Sequence, residues 1–246
     1  MSIDPTGIGI EIIKGIPNVV EKIRNWWSFN LPAGKVFGDC LNNKNQLKVY
    51  LKDLFVPGNT FDNPKLFSQE GKILQSNPNI EKVWPEVEGR AIAGLFNLLG
   101  TLGKHQKIEI VEMSKGYGEW NTNMIVLGAQ AVKCREFYEV MENVAYGVDD
   151  NSIFDYENKK SIEMNNAVYG YGIILKARNP VNHNKPAFLL GGLGTLGTKA
   201  AIYYFIKNIA LIGKEFEKRN FGIVVRARIA SDEQSTERLK KYDKSY

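Results

Sequence analysis

The sequence predicts an α/β protein, a Rossmann-like layered fold with a largely parallel, mixed central sheet flanked by helices. Apolar strand-like segments and amphipathic helix-like segments alternate along most of the chain, the order that lays helices over a parallel sheet. Two strand-like segments follow each other around residues 170–190 with only a loop between them, which introduces a local antiparallel pair. The stretch AFLLGGLGTLGTKAAIYYF, residues 187–205, joins an apolar strand to a helix through a cluster of glycines.

The elements follow from local patterns. Ile8, Ile12, Ile16, Val19, Ile23 and Trp27 recur every three or four residues, so residues 1–30 read as an amphipathic helical extension that Pro17 kinks or splits. Its Lys14, Lys22 and Arg24 are balanced by Asp4, Glu11 and Glu21, which leaves no net attraction to an anionic lipid surface and favours packing on its own domain or on a partner subunit. A single α/β domain is expected over 31–230. It opens with GKVFGDC (34–40), read as a short strand entering a turn, and QLKVYLKDLF (46–55), which has helical periodicity.

Residues 56–84 are rich in Pro, Gly and Asn and read as loop with one short helix near 64–74. PEVEGRAIAGLFNLLGTLGK (85–104) carries proline at its first turn and glycine near its end, as helices do, and KIEIVEM follows as a strand. MIVLG (124–128) is a strand of the buried kind, followed by a helix through QAVKCREFYEVMEN (130–143) and, over 153–156 and 161–165, a small hairpin or loop excursion around Asn158. YGYGIILKAR (169–178) is a strand broken by Pro180, AFLL is the next, a helix spans about 198–216, and GIVVRARIA (222–230) closes the domain. Residues 231–246 read as a polar tail.

Composition narrows the classes. With 43% hydrophobic and 24% charged residues the chain has the make-up of a soluble globular protein. No uninterrupted apolar span is long enough for a bilayer, so a membrane role is not expected. Cys40 and Cys134 form no C-x-x-C pair, and His105 and His183 are the only histidines, so neither a disulfide framework nor a metal cluster can be read from spacing, and a reducing, cytoplasmic setting is expected. The formal charge of +5 is unevenly spread: residues 1–169 hold 18 Lys/Arg against 21 Asp/Glu, whereas residues 170–246 hold 14 against 6. An anionic partner is therefore expected at the C-terminal third.

Gly192, Gly194 and Gly197 satisfy G-x-G-x-x-G between a strand and a helix. Glycines there let a phosphate approach backbone N–H groups at a helix start, where the dipole is positive; Thr195 and Thr198 would add hydroxyls and Lys199 a charge. The alternative is a tight turn without ligand. The acidic residue of a dinucleotide fingerprint is absent at its usual place, since Asp232 and Glu233 come 35 and 36 residues after Gly197. Two further turns, VFGDC and IVLGAQA, add Asp39, Gly128 and Gln130 as candidates along the carboxyl edge of a parallel sheet, each with a cap or tight turn as its plain reading.

Lys176 and Arg178 lie two apart on one strand, as do Arg226 and Arg228 on another, so each pair shares a face. Were the strands neighbours, the four cations would form a basic patch for nucleic acid or an acidic protein, with Tyr169 and Tyr171 nearby to stack on bases. The leading expectation is a binding or sensing module for a phosphate-bearing small ligand such as a nucleotide, cradled by residues 191–198. The alternative is a non-enzymatic accessory subunit of a larger, nucleic-acid-directed assembly, using the amphipathic N-terminus and the basic C-terminal third. Hydrolysis of a nucleotide or of NAD is a third class, for which the carboxylates Glu86, Glu88, Glu112 and Glu119 supply no defined catalytic set.

Overall fold

The computed structural model describes residues 31–51, 54–57, 80–83, 86–112, 120–129, 132–149, 151–231 and 235–244. The amphipathic extension over 1–30, the short helix near 64–74 and Gln130 lie outside the described residues. In chain order the elements are α1 (Pro32–Phe37), β1 (Leu47–Leu51), β2 (Leu54–Pro57), β3 (Ile80–Val83), α2 (Glu86–Thr101), β4 (Ile108–Glu112), β5 (Asn123–Leu127) and α3 (Val132–Val140). They continue with β6 (Tyr146–Val148), β7 (Ile153–Asp155), β8 (Lys160–Ser161), β9 (Tyr169–Ala177), β10 (Ala187–Gly192), α4 (Gly194–Phe216), β11 (Asn220–Arg228) and β12 (Glu237–Lys244).

The molecule has mixed α/β content around a seven-stranded sheet of order β12-β11-β9-β10-β5-β1-β4. Pairings β10·β5, β5·β1 and β1·β4 are parallel; β10·β9, β9·β11 and β11·β12 are antiparallel. Half of the sheet is thus a parallel α/β array and half an antiparallel ribbon. The antiparallel pair expected near residues 170–190 is β9·β10. Small sheets β2·β3 and β6·β7·β8 complete the strands, the latter holding the expected hairpin.

Two predicted elements exchange type. Residues 34–37, read as a short strand, lie in α1, with Pro32 in its first turn and Gly38 at φ +51° ending it. Residues 47–51, read as helix, form β1, in which every residue is buried. A strand covered on both faces loses the polar–apolar alternation, and Leu47 and Leu51, four apart, then mimic a helical stripe. The polar tail also changes: Glu237–Lys244 pair with β11 as an edge strand whose charges keep a free edge soluble.

Apolar side chains fill both faces. On one, α1, α2 and α4 cover the sheet: Phe37 lies 5.6 Å from Phe188 and 5.7 Å from Phe205 between ring centroids, and Phe216 stacks on Phe221 at 4.7 Å. On the other, Cys134, Phe137 and Met141 of α3 and its following turn pack with Tyr146, Ile153, Ile173 and Leu175. Burial of aromatic side chains at this scale supplies a large share of the apolar stabilisation. α1 meets α4 closely, since a Cβ on Gly213 would lie 1.8 Å from the Pro32 carbonyl oxygen.

Candidate functional site: two ends of one sheet

The glycine corner sits at the carboxyl end of β10. Gly191 packs on the backbone of Gly128, where an added Cβ would come within 2.2 Å of the Gly128 carbonyl. Cβ atoms on Gly192 and Gly197 would lie 2.3 and 2.0 Å from the Tyr171 carbonyl oxygen. These glycines let the first turn of α4 rest directly on β9. The Leu193 amide donates to the Tyr171 oxygen at 2.9 Å, and the Thr198 hydroxyl donates to the Gly194 carbonyl at 3.2 Å. Gly194 is different: its φ is +65° and nothing lies within 4 Å of its Cβ position. Thr195 is exposed, Lys199 is half-buried, and no side chain caps the helix.

Asp39 does not join Gly128 at this edge. The Asp39 carbonyl accepts from Asn123 Nδ2 at 3.4 Å; Asn123 begins β5, whereas Gly128 follows its last residue. Five residues of strand separate the two by about 17 Å. The four-cation patch is corrected likewise. β9 and β11 are neighbours, but antiparallel register sets Lys176 opposite Phe221, and Arg226 and Arg228 opposite Tyr171 and Tyr169. The two cation pairs therefore occupy opposite ends of the sheet. Arg226 lies 4.6 Å over the Tyr169 ring and bonds Glu237 at 2.7 Å, Arg228 is exposed, and the Tyr171 hydroxyl accepts from the Asn165 amide.

At the amino ends of β10 and β11 lies a cleft of about 650 Å³. Its walls carry Lys35, Lys176, Arg178, Lys185, Lys218 and Arg219, with Asp39 and His183. Topology explains the gathering. β10 and β11 both run antiparallel to β9, so the residues just ahead of them, Lys185 and Lys218–Arg219, meet Lys176 and Arg178 where β9 ends. α1 brings Lys35 and the following 3₁₀ turn brings Asp39. The loop between β9 and β10 is held by buried Asn179, which donates to the Trp120 carbonyl and accepts from the Val181 amide at 3.0 Å.

Four of the six cations have carboxylate partners: Lys35 with Glu217 at 3.2 Å, Arg178 with Glu142 at 3.6 Å, Lys185 with Asp39 at 2.7 Å, and Arg219 with Asp243. Among the described residues, no carboxylate lies within ion-pair distance of Lys176 or Lys218. Lys176 is only 5% exposed and donates to the Lys218 carbonyl at 2.9 Å, with its ammonium 5.9 Å from the centre of the Phe188 ring. Burial is the main cause that lowers its pKa from 10.5 to about 8, and the Lys218 ammonium adds to it. Burial drives the nearby Cys40 thiol the other way, up to about 12, so it is an inert core residue rather than a nucleophile.

Sequence reasoning found Lys176, Arg178 and Asp39 but missed Lys35, Lys185, Lys218 and Arg219. The available signal was position: cations immediately before two strands converge when those strands are codirectional. Among the described residues no group of three His, Cys, Asp or Glu side chains could hold a metal ion, and no helix is long and apolar enough to cross a membrane. No protein-family model matches the chain, and no curated protein shows significant similarity to it.

Proposed function

We propose that the protein is a binding or sensing module for a phosphate-bearing small ligand, and that the ligand's anionic group enters the cleft at the amino ends of β10 and β11. The observation that carries this reading is the pair Lys176 and Lys218. They line an open cleft and have no carboxylate among the described residues, so their two positive charges match one phosphate monoester dianion. The ion-paired Lys35, Arg178, Lys185 and Arg219 around them surround the site with further donors. Elsewhere in the C-terminal third, Arg238 and Lys241 both bond Glu215, and Arg226 bonds Glu237. The glycine corner is the competing location.

Calorimetric titration with inorganic phosphate and with ADP tests this. Binding is expected to weaken as salt rises and to fall about tenfold in Lys218→Ala, a loss of one charge-assisted contact. Gly194→Ala is expected to leave the affinity unchanged. Loss of binding in Gly194→Ala alone would move the ligand to the carboxyl edge, and no heat with either anion would remove the reading.

A further inference from the structure

We propose that Lys176 is an imine-forming lysine, and that the ligand of the cleft is a small phosphorylated aldehyde or ketone whose carbonyl carbon it captures. The inference rests on the phosphate-binding reading above and names the ligand class of that same site.

The geometry is that of an amine kept out of water beside a place for an anion. Lys176 emerges at the end of β9, is 95% buried by its 5% exposure, and still lines the cleft. Of its three donor positions, one is used within the described residues, on a neutral carbonyl. No described carboxylate holds it in the charged form, and the Phe188 ring sets an apolar side against it. A desolvated lysine beside another cation is the arrangement that makes an amine nucleophilic near neutral pH. The lowered pKa accords with it, since about half of such a group is neutral near pH 8. Lys218, whose backbone carbonyl holds the amine in place, also supplies the side-chain charge for the phosphate.

The step balances without an oxidant or reductant. The lone pair of neutral Lys176 Nζ attacks the carbonyl carbon, the C–O π pair moves to oxygen, and a proton passes from nitrogen to that oxygen. The resulting carbinolamine loses its oxygen as water, taking the second N–H proton, and C=N forms. Hydrolysis returns the free lysine and the carbonyl compound. Lys176 would be a catalytic residue by direct bonding to the ligand. In its charged form it shares a simple phosphate with Lys218; in its neutral form it bonds the carbonyl carbon and leaves the phosphate to Lys218 and the ion-paired cations of the cleft.

Pyridoxal 5′-phosphate, an aldehyde bearing a phosphate, is a suitable probe for the full chain, with sodium borohydride to fix the imine and peptide mapping to locate it. With less than one equivalent of probe, labelling is expected chiefly at Lys176, with a pH midpoint near 8, and to fall about tenfold when inorganic phosphate is in excess. Lys176→Arg, checked for its fold by circular dichroism, is expected to lower total labelling about tenfold, because a guanidinium forms no imine. Label spread over exposed lysines such as Lys218 with Lys176 unmodified would overturn the proposal. So would equal labelling by pyridoxal lacking its phosphate. Phosphate heat without a Lys176 adduct overturns the imine alone; absence of phosphate heat overturns the binding reading beneath it.

Discussion

The two ends of the β9–β10–β11 ribbon use opposite physics. At the carboxyl end of β10, glycines remove side chains so that backbone meets backbone, and polar groups there bond one another: Leu193 to Tyr171, Thr198 to Gly194. At the amino end, long cationic side chains from four separate segments surround open space, and two of them lack carboxylates among the described residues. A motif that resembles a phosphate cradle in one dimension serves chiefly as a packing joint. A set of cations with no motif forms the more charged cavity. The difference teaches that backbone donors become a site only when a cavity is left in front of them.

Substitutions can break this contrast. The largest effect is expected for Gly197→Ala, whose new Cβ would sit 2.0 Å from the Tyr171 oxygen. The joint between α4 and β9 would open, lowering unfolding stability in denaturant titration by about 3 kcal/mol or more. A neutral result would show that the corner has slack, and would restore the case for a flexible anion cradle there.

Next comes Lys176→Met in the cleft. Phosphate affinity should drop at least about tenfold, because a charge-assisted contact is lost. Stability below pH 8 should rise by about 1–2 kcal/mol, because a desolvated charge is replaced by a thioether of similar length. The sign is set by linkage. The Lys176 pKa is about 8 in the folded protein against 10.5 for a lysine in water, so the unfolded chain binds more protons between those values, and wild-type stability recovers as pH rises through that window. The advantage of the methionine variant should therefore shrink from pH 8 to pH 10.5. An unchanged difference would mean that Lys176 is not desolvated.

A smaller effect distinguishes the glycines from each other. Gly194→Ala places its Cβ in open space but keeps φ near +65°, so the cost is conformational alone, about 1 kcal/mol. Parity with Gly197→Ala would contradict the division of the corner into packed and open parts. The smallest effect is expected for Arg226→Ala, an exposed pair with Glu237, at about 0.5 kcal/mol and no change in phosphate affinity. A fall in affinity there would mean that the two ends of the ribbon communicate.

Much of the architecture was legible because local chemistry and burial agree. The proline-started helix α2, the 23-residue helix α4 and the apolar strands β5, β9, β10 and β11 all carry periods that match their environments. β1 and α1 were misread because complete burial erases the alternation on which a strand is recognised, and a six-residue helix is too short to show its own period. β12 was misread because an edge strand that faces water is chemically a tail until it finds β11. Of the candidate cleft, Lys176, Arg178 and Asp39 were visible as individual residues, but not as a group.

From residues alone came the α/β alternation, the antiparallel turn near residue 180, the glycine-rich strand-to-helix corner and the concentration of positive charge after residue 169, since each is written in neighbouring side chains. Strand direction and order were decided only in three dimensions. Those separated Lys176 from Arg226, removed Asp39 from Gly128, and drew Lys35, Lys185, Lys218 and Arg219 to one opening. The reason is physical: pairing between strands depends on contacts between segments far apart in the chain, and a local pattern records what each segment buries but not beside which other segment it does so.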